Sequence, residues 1–466
     1  MLRHPGELAA TRVARASGMV RATARFAARG ADAARDAIGG LERRAAWAVA
    51  DQCVVSAVNF LTVFLFARHL DAAVFGGFML AYTGLLLLTN LQYALVAQPH
   101  NVLGAGLAEP DYRRFTGAML ALQVLYCAGA CAALGAVGWW VGIAFSPDAG
   151  VTITALALTA VPWLGQEFVR RVLYTRGESR AAATNDGITY GLQLFGALAL
   201  VMSVPAWATP AAALNVLGLS SAVGVLAGIW QLRGHVYLGE GAARGFARYW
   251  SDAWRFGRWL TAQNGLAWFG AQGHSWIVGL ILGVEQVGIY RAATHLVNVM
   301  NPLMQACFSY LPSRGSLVYR SRGASGLSRW VKQTLRALLL AMAPFLALLM
   351  LLPGPVLELA YGSGHAAAGL PLILALAALA QCVLFTKYPF DLGLLALRST
   401  RSIFLVYLIP VAMLLTLGTA LISLFGILGV PLSAIAINSA LLLATWRAYR
   451  RRMALEPAAA AGGSPR

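Results

Sequence analysis

Three cations stand apart in this sequence. Arg68, Arg291 and Lys387 lie in or beside long apolar runs, whereas the other arginines gather in short clusters between such runs. A charge near hydrocarbon is expensive, and it usually faces a bundle interior, a wet cavity or a partner. A guanidinium there suits an anionic group, because it stays charged and can grip two oxygens at once. Arg291 heads the longest polar series. With Thr294, His295, Asn298, Asn301 and Gln305 it shares an arc of about 120°, at about 100° per residue.

Other stripes are equally one-sided. Asp51, Gln52, Asn59 and Thr62 fall within roughly 100° of one helix. Gln263, Asn264, His274 and Ser275 share a side of a second helix, and Asn185, Asp186, Thr189 and Gln193 a side of a third. Lys387 can pair with Asp391 one turn on, and Pro389 between them marks a bend. Glu167 with Arg170 and Arg171 reads as a charge network at a helix end. Each feature also has a plainer reading. Amides and hydroxyls in membrane helices serve as interhelical glue worth under about 2 kcal/mol. Arg68 would suit a headgroup anchor, Asp51 and Gln52 an interfacial cap, and His69 and His274 packing positions. The Lys387–Asp391 pair fits a structural ion pair or a mobile coupling pair.

No nucleophile elbow, P-loop, metal-ligand spacing or dinucleotide fingerprint is present. No catalytic residue, metal or cofactor is therefore expected, and a pump with its own nucleotide site is excluded. The five cysteines, Cys53, Cys127, Cys131, Cys307 and Cys382, all fall in apolar runs. They read as small packing residues rather than zinc ligands or disulfides.

The elements that must position these groups are membrane helices. The chain is 59% hydrophobic and 12% charged, against about 25% charged in soluble proteins. A soluble fold could not bury so much apolar surface. Apolar runs near the bilayer-crossing length of about 20 residues recur at 48–68, 75–96, 115–145, 150–172, 185–204, 209–231, 259–282, 288–311, 335–352, 369–396, 402–424 and 428–446. An all-helical protein of twelve spans is expected. The net charge of +18 does not imply nucleic acid, because the basic residues are scattered between spans rather than gathered on one water-facing module.

Cytoplasmic loops hold the Lys and Arg of such proteins. Arg113 and Arg114, Arg170 to Arg180, Arg233 to Arg258, Arg314 to Arg336, Arg398 and Arg401, and Arg447 to Arg452 all fall on one side of the twelve-span reading. That side is read as cytoplasmic, with both termini there. Segment 1–46 contains Glu7, Asp32, Asp36 and Glu42 and lacks an apolar signal core, so it reads as a basic tail resting near lipid headgroups. The expected division is that tail, a six-helix lobe over 47–232, a cytoplasmic linker over 233–258, a second lobe over 259–447 and a tail over 448–466.

The lobes echo each other. Leu70, Phe75, Gly76 and Phe78 stand opposite Leu282, Val287, Gly288 and Tyr290 at one constant spacing, and AQP (97–99) meets YLP (310–312). LYTRGESR (173–180) likewise meets LLALRSTR (394–401). Six spans is an even number, so the repeats should be related by a pseudo-twofold along the membrane normal, with a polar cleft between them.

The stretches DQCVVSAVNFL (51–61), ARHLDAAVFGGFMLAY (67–82), QEFVRRVLYTRGESRAAATND (166–186) and GVEQVGIYRAAT (283–294) resemble the polysaccharide-transporter branch of flippases. That superfamily also holds the MATE drug exporters and the lipid II flippase. The resemblance covers roughly 45–450, and it departs from many relatives at Asp71-Ala72, where they have Gly-Pro. It implies a MATE-like fold in a bacterial inner membrane and alternating access of a central cleft. The cargo it implies is an undecaprenyl-pyrophosphate-linked glycan for O-antigen, capsule or exopolysaccharide. Membrane lipids, a polysaccharide polymerase and a chain-length regulator are the implied partners, and proton or sodium coupling the implied drive. On this reading Arg291, His295, Asn298, Asn301, Gln305, Asn59, Gln263, Asn264, His274 and Arg68 line the cleft. Asp51, Lys387, Asp391, Glu167 and Asp186 are then candidates for coupling or gating. A MATE-like exporter of cations would favour buried carboxylates over Arg291 and Lys387. A membrane glycosyltransferase or polymerase would need a sizeable outer loop, and the longest, 353–368, offers only Glu358 and His365.

Overall fold

The computed structural model describes residues 47, 50–104, 107–203, 207–236, 241–362, 369–397 and 400–455, without the side chains of 241–248, 256, 301–303, 305–310, 313, 400–404 and 407. The expected tail over 1–46 and the end of the C-terminal tail lie outside these residues. The described chain is helical almost throughout. In the first half, α1 is Ala50–His69 and α2 is Ala72–Gly104. They are followed by α3 (Glu109–Ala144), α4 (Pro147–Thr175), α5 (Ser179–Val201) and α6 (Pro210–Leu232). The second half holds α7 (Gly241–Ile281), α8 (Val284–Val297), α9 (Asn301–Leu351), α10 (Pro353–Tyr361) and α11 (Leu370–Ala396). It closes with α12 (Thr400–Met413), α13 (Thr419–Phe425) and α14 (Gly429–Leu455).

Local chemistry sets the helix starts. Ser146 precedes Pro147 and accepts from the amide of Ala149, and Thr209 precedes Pro210 and accepts from that of Ala212. In each case a hydroxyl satisfies an orphan N–H, and a proline takes the position that needs none. The helices also overrun the apolar runs on the arginine-rich side, because nothing in water forces a hydrogen-bonded helix to stop at the interface. The expected linker over 233–258 is helical from Gly241, and the arginine-rich stretch 312–334 lies wholly within α9. There the chain turns at Gly323, whose φ of 61° and ψ of −162° require the freedom of glycine. What reads as one helix is thus two helices joined at a kink.

Eight of the described helices are long and apolar enough to cross a membrane, fewer than the twelve expected. Among those that fall short are α5, α7 and α8, which carry Asp186, His274 and Arg291. At 14 residues α8 is too short to span by itself, while in α5 and α7 the polar stripes lower the apolar content.

The packing repeats between the halves. In the first, α3 packs on α4 and α4 on α6; in the second, the second limb of α9 packs with α11 and α11 with α14. In the twelve-span count these are spans three, four and six, then nine, ten and twelve. Across the seam α2 packs against α8. A methyl at Gly76 would lie 2.9 Å from the amide nitrogen of Gly288, and one at Gly288 would lie 3.1 Å from that of Gly76. The same methyls would run into the carbonyls of Val284 and Ala72 respectively. Such reciprocity is what a twofold axis between α2 and α8 produces, at the residues the repeat pairs. The core beside this crossing is aromatic, with Phe66, Phe75 and Phe78 buried against Ala293 and Val297.

Candidate functional site

The Arg291 stripe divides between two surroundings. Arg291, Thr294 and Asn298 line a cavity of about 420 Å³ inside the second half, bounded by α7, α8, α11, α12 and α14. His295 points instead to the seam, where its ring stacks on Phe60 with centroids 4.5 Å apart. A ring nitrogen of His295 lies 3.0 Å from the Phe60 carbonyl. The side chains of Asn301 and Gln305 lie outside the described residues. Two prolines stand in the cavity wall: Pro410 lies inside α12, where it removes a helical hydrogen bond, and Pro431 lies in the first turn of α14, where no such bond is lost.

The cavity is cationic. The Arg291 Nη2 donates to Gln272 Oε1, while its Nε is buried without a hydrogen-bond partner. Among the described residues no carboxylate pairs with this guanidinium. Lys387 also lines the cavity, and its Nζ donates to Asp391 Oδ2 at 2.5 Å, both side chains buried. That pair joins positions one turn apart, as the spacing predicts. His274 reaches the cavity and shares a 2.8 Å hydrogen bond with Ser433 Oγ.

Sequence reasoning missed Gln272, Gln381 and Asn438, which add to the polar wall. Gln272 stands two positions before His274, roughly 160° round the helix from it and about 60° beyond the edge of the arc assigned to that helix. Asn438 is a single amide in an apolar run, donating to the Ala380 carbonyl at 2.8 Å. Only its position across from Arg291 in space could have revealed it.

The remaining candidates lie elsewhere. Asn59 accepts from Gln193 at 3.2 Å, joining α1 to α5. Gln263 is exposed. Asn264 donates across the seam to the Asn90 carbonyl at 3.2 Å. Arg68 donates to the Ala360 carbonyl at 3.0 Å, tying the end of α1 to α10. The structure does not bring these four to the Arg291 cavity. Glu358 is exposed on α10, and His365 lies outside the described residues.

The other acidic candidates, Asp51, Glu167 and Asp186, gather in the first half around one buried arginine. Arg170 meets Asp51 at 3.2 Å, Asp186 at 2.7 Å and Glu167 at 3.7 Å. Tyr174 donates its hydroxyl to Asp51, and Gln166 donates to Asp186 at 2.5 Å. The network ties α1, α4 and α5 together. Arg171, a third exposed, reaches Glu167 at 3.7 Å. The Glu167–Arg170–Arg171 part was legible from spacing. The partners on α1 and α5 were not, because Asp51 stands 119 residues from Arg170. Among the described residues no group of three His, Cys, Asp or Glu is placed to hold a metal ion.

Comparison with known proteins bears on the fold. Residues 188–368 match the family described as polysaccharide biosynthesis protein. No significant match is found among curated protein sequences. An inward-facing multidrug resistance MATE family transporter of the MOP superfamily superposes with a TM-score of 0.67 at 14% identity, over 86% of this chain and 94% of that one. The lipid II flippase MurJ, in an inward closed conformation, gives 0.65 at 12% identity, over 88% and 89%. A MOP superfamily transporter from Pyrococcus furiosus, described by the reverse polarity of its binding pocket, gives 0.58 at 15% identity, over 89% and 95%. The chain is thus a multi-pass membrane protein with the fold that MATE transporters share with the lipid II flippase, and it matches the polysaccharide biosynthesis family across the join of its two halves.

Proposed function

We propose that this protein is a flippase that carries an undecaprenyl-pyrophosphate-linked oligosaccharide across the cytoplasmic membrane by alternating access of its two halves. The observation that carries the reading is Arg291, a guanidinium lining a cavity with no paired carboxylate among the described residues, with Lys387 on the same wall. A buried charge left unpaired by its own protein is costly, so it is retained where a ligand supplies the counter-charge. A pyrophosphate suits it, because its oxygens match the planar fork of arginine. The amides of Gln272, Asn298 and Asn438 around it offer donors and acceptors to sugar hydroxyls, while the lipid tail can remain in the bilayer. A cationic cargo would meet like charge here, which counts against a MATE-like drug exporter. The carboxylates on Arg170 support that cluster as the place where a proton or sodium ion would couple to the cycle.

The test is glycan display in a strain lacking its own flippase, with protein level checked. Arg291→Ala should be made normally and lose display at least about tenfold, the loss expected of one charge-assisted contact. Arg68→Ala, at a side chain hydrogen-bonded to the Ala360 carbonyl, should retain most of it. Full display with Arg291→Ala would overturn the reading.

A further inference from the structure

A groove on the first half, separate from the Arg291 cavity, has the form of a lipid site. Helix α4 is its floor at Val161, Gly165 and Phe168, and α3 and α6 are its walls, enclosing about 1110 Å³. The lining is almost wholly apolar. Its polar groups are satisfied internally, for Gln123 donates to the Leu164 carbonyl at 3.2 Å and to Cys127 Sγ at 3.1 Å, and accepts from Gln92 at 2.9 Å. Nothing in the trough asks for a polar ligand.

The two ends differ. Beyond one end α3 and α4 close on each other, where a methyl at Gly142 would lie 3.5 Å from the Cα of Gly150. At the other stands Arg233, exposed on the arginine-rich side, its guanidinium 4.7 Å above the Trp230 ring. Among the described residues no carboxylate pairs with Arg233; Glu178 is engaged by His235 at 3.0 Å. The α6 wall runs from Ala222 to Leu232, roughly 15 Å at helical rise. That equals one leaflet's share of a hydrocarbon core about 30 Å thick. Depth and charge together describe the ligand. An ordinary phospholipid of that leaflet has chains of this length and one anionic phosphate, whereas a polyprenyl chain is far longer.

We infer that this groove binds an anionic phospholipid of the arginine-rich leaflet, with its acyl chains along α3, α4 and α6 and its phosphate on Arg233. The inference does not rest on the cargo reading, since it concerns a different half and is measured without glycan. The experiment is native mass spectrometry of the purified full chain from micelles holding phosphatidylglycerol and phosphatidylcholine in equal amounts. The wild type should retain phosphatidylglycerol preferentially. Arg233→Ala should cut that retention about fivefold, the worth of one basic residue at an anionic surface, and Arg233→Lys should keep the preference. Ala128→Phe, at an exposed position of the α3 wall, should fill the trough and lower retention of both lipids. Equal retention of the two lipids by the wild type would overturn the inference. So would undiminished phosphatidylglycerol on Arg233→Ala, or its displacement by a lower concentration of a long polyprenyl phosphate.

Discussion

Arg170 and Arg291 place the same side chain in opposite settings. Arg170 is surrounded by Asp51, Glu167 and Asp186, so its charge is spent within the protein and holds three helices together. Among the described residues Arg291 is hydrogen-bonded to the neutral Gln272 and paired with no carboxylate. Their substitutions should therefore fail differently. Removing Arg170 strands carboxylates in the interior, at a cost of about 3–5 kcal/mol. Arg170→Ala should lower the thermal unfolding midpoint in detergent sharply, and an unchanged midpoint would show that the network does not hold α1, α4 and α5. Arg291→Ala should leave that midpoint at or above the wild-type value, because the wild-type charge has no counter-ion among the described residues. A large drop would mark Arg291 as structural. Much of this was legible in the sequence, since helical spacing alone brings Lys387 to Asp391 and Glu167 to Arg170. The division of the Arg291 stripe was not. An arc spanning about 120° is wide enough to touch two neighbours, and only the packing of α1 against α8 sends His295 to Phe60.

At the scale of elements, the reciprocal contact of Gly76 and Gly288 is the clearest product of the repeat. The constant spacing that pairs these residues in sequence also pairs them in space, each backbone occupying room that a side chain on the other would need. Gly76→Val and Gly288→Val should destabilise by similar amounts, about 1–3 kcal/mol as overpacking typically does. The check is the unfolding midpoint of each variant in detergent. Markedly unequal effects would argue against a symmetric crossing. Helix ends were less legible than helix centres. Apolar content falls at the edge of hydrocarbon, but backbone hydrogen bonding continues into water, so 241–258 and 312–334 are helical where the sequence reads as loop. The kink at Gly323 could not be read from composition, since a glycine between arginine-rich segments looks like any loop glycine.

At the scale of the whole molecule, the first and second halves of the chain meet at α2 and α8, with a cationic cavity in one and a carboxylate cluster in the other. The sorting of arginines predicts that the start of α7 faces the cytoplasm. In a cysteine-free variant, a cysteine introduced at Gly245 should resist a membrane-impermeant maleimide added to intact cells and react after permeabilisation. Labelling from outside would invert the topology. The central claim is that Arg291 receives the anionic group of a lipid-linked cargo. The most direct measurement is equilibrium binding of a long-chain polyprenyl pyrophosphate to the purified full chain, compared among wild type, Arg291→Ala and Arg291→Lys. The account predicts binding at least about tenfold weaker for Arg291→Ala, as for loss of a charge-assisted hydrogen bond, with Arg291→Lys restoring part of it because a point charge lacks the planar fork. Equal affinity for wild type and Arg291→Ala would contradict it.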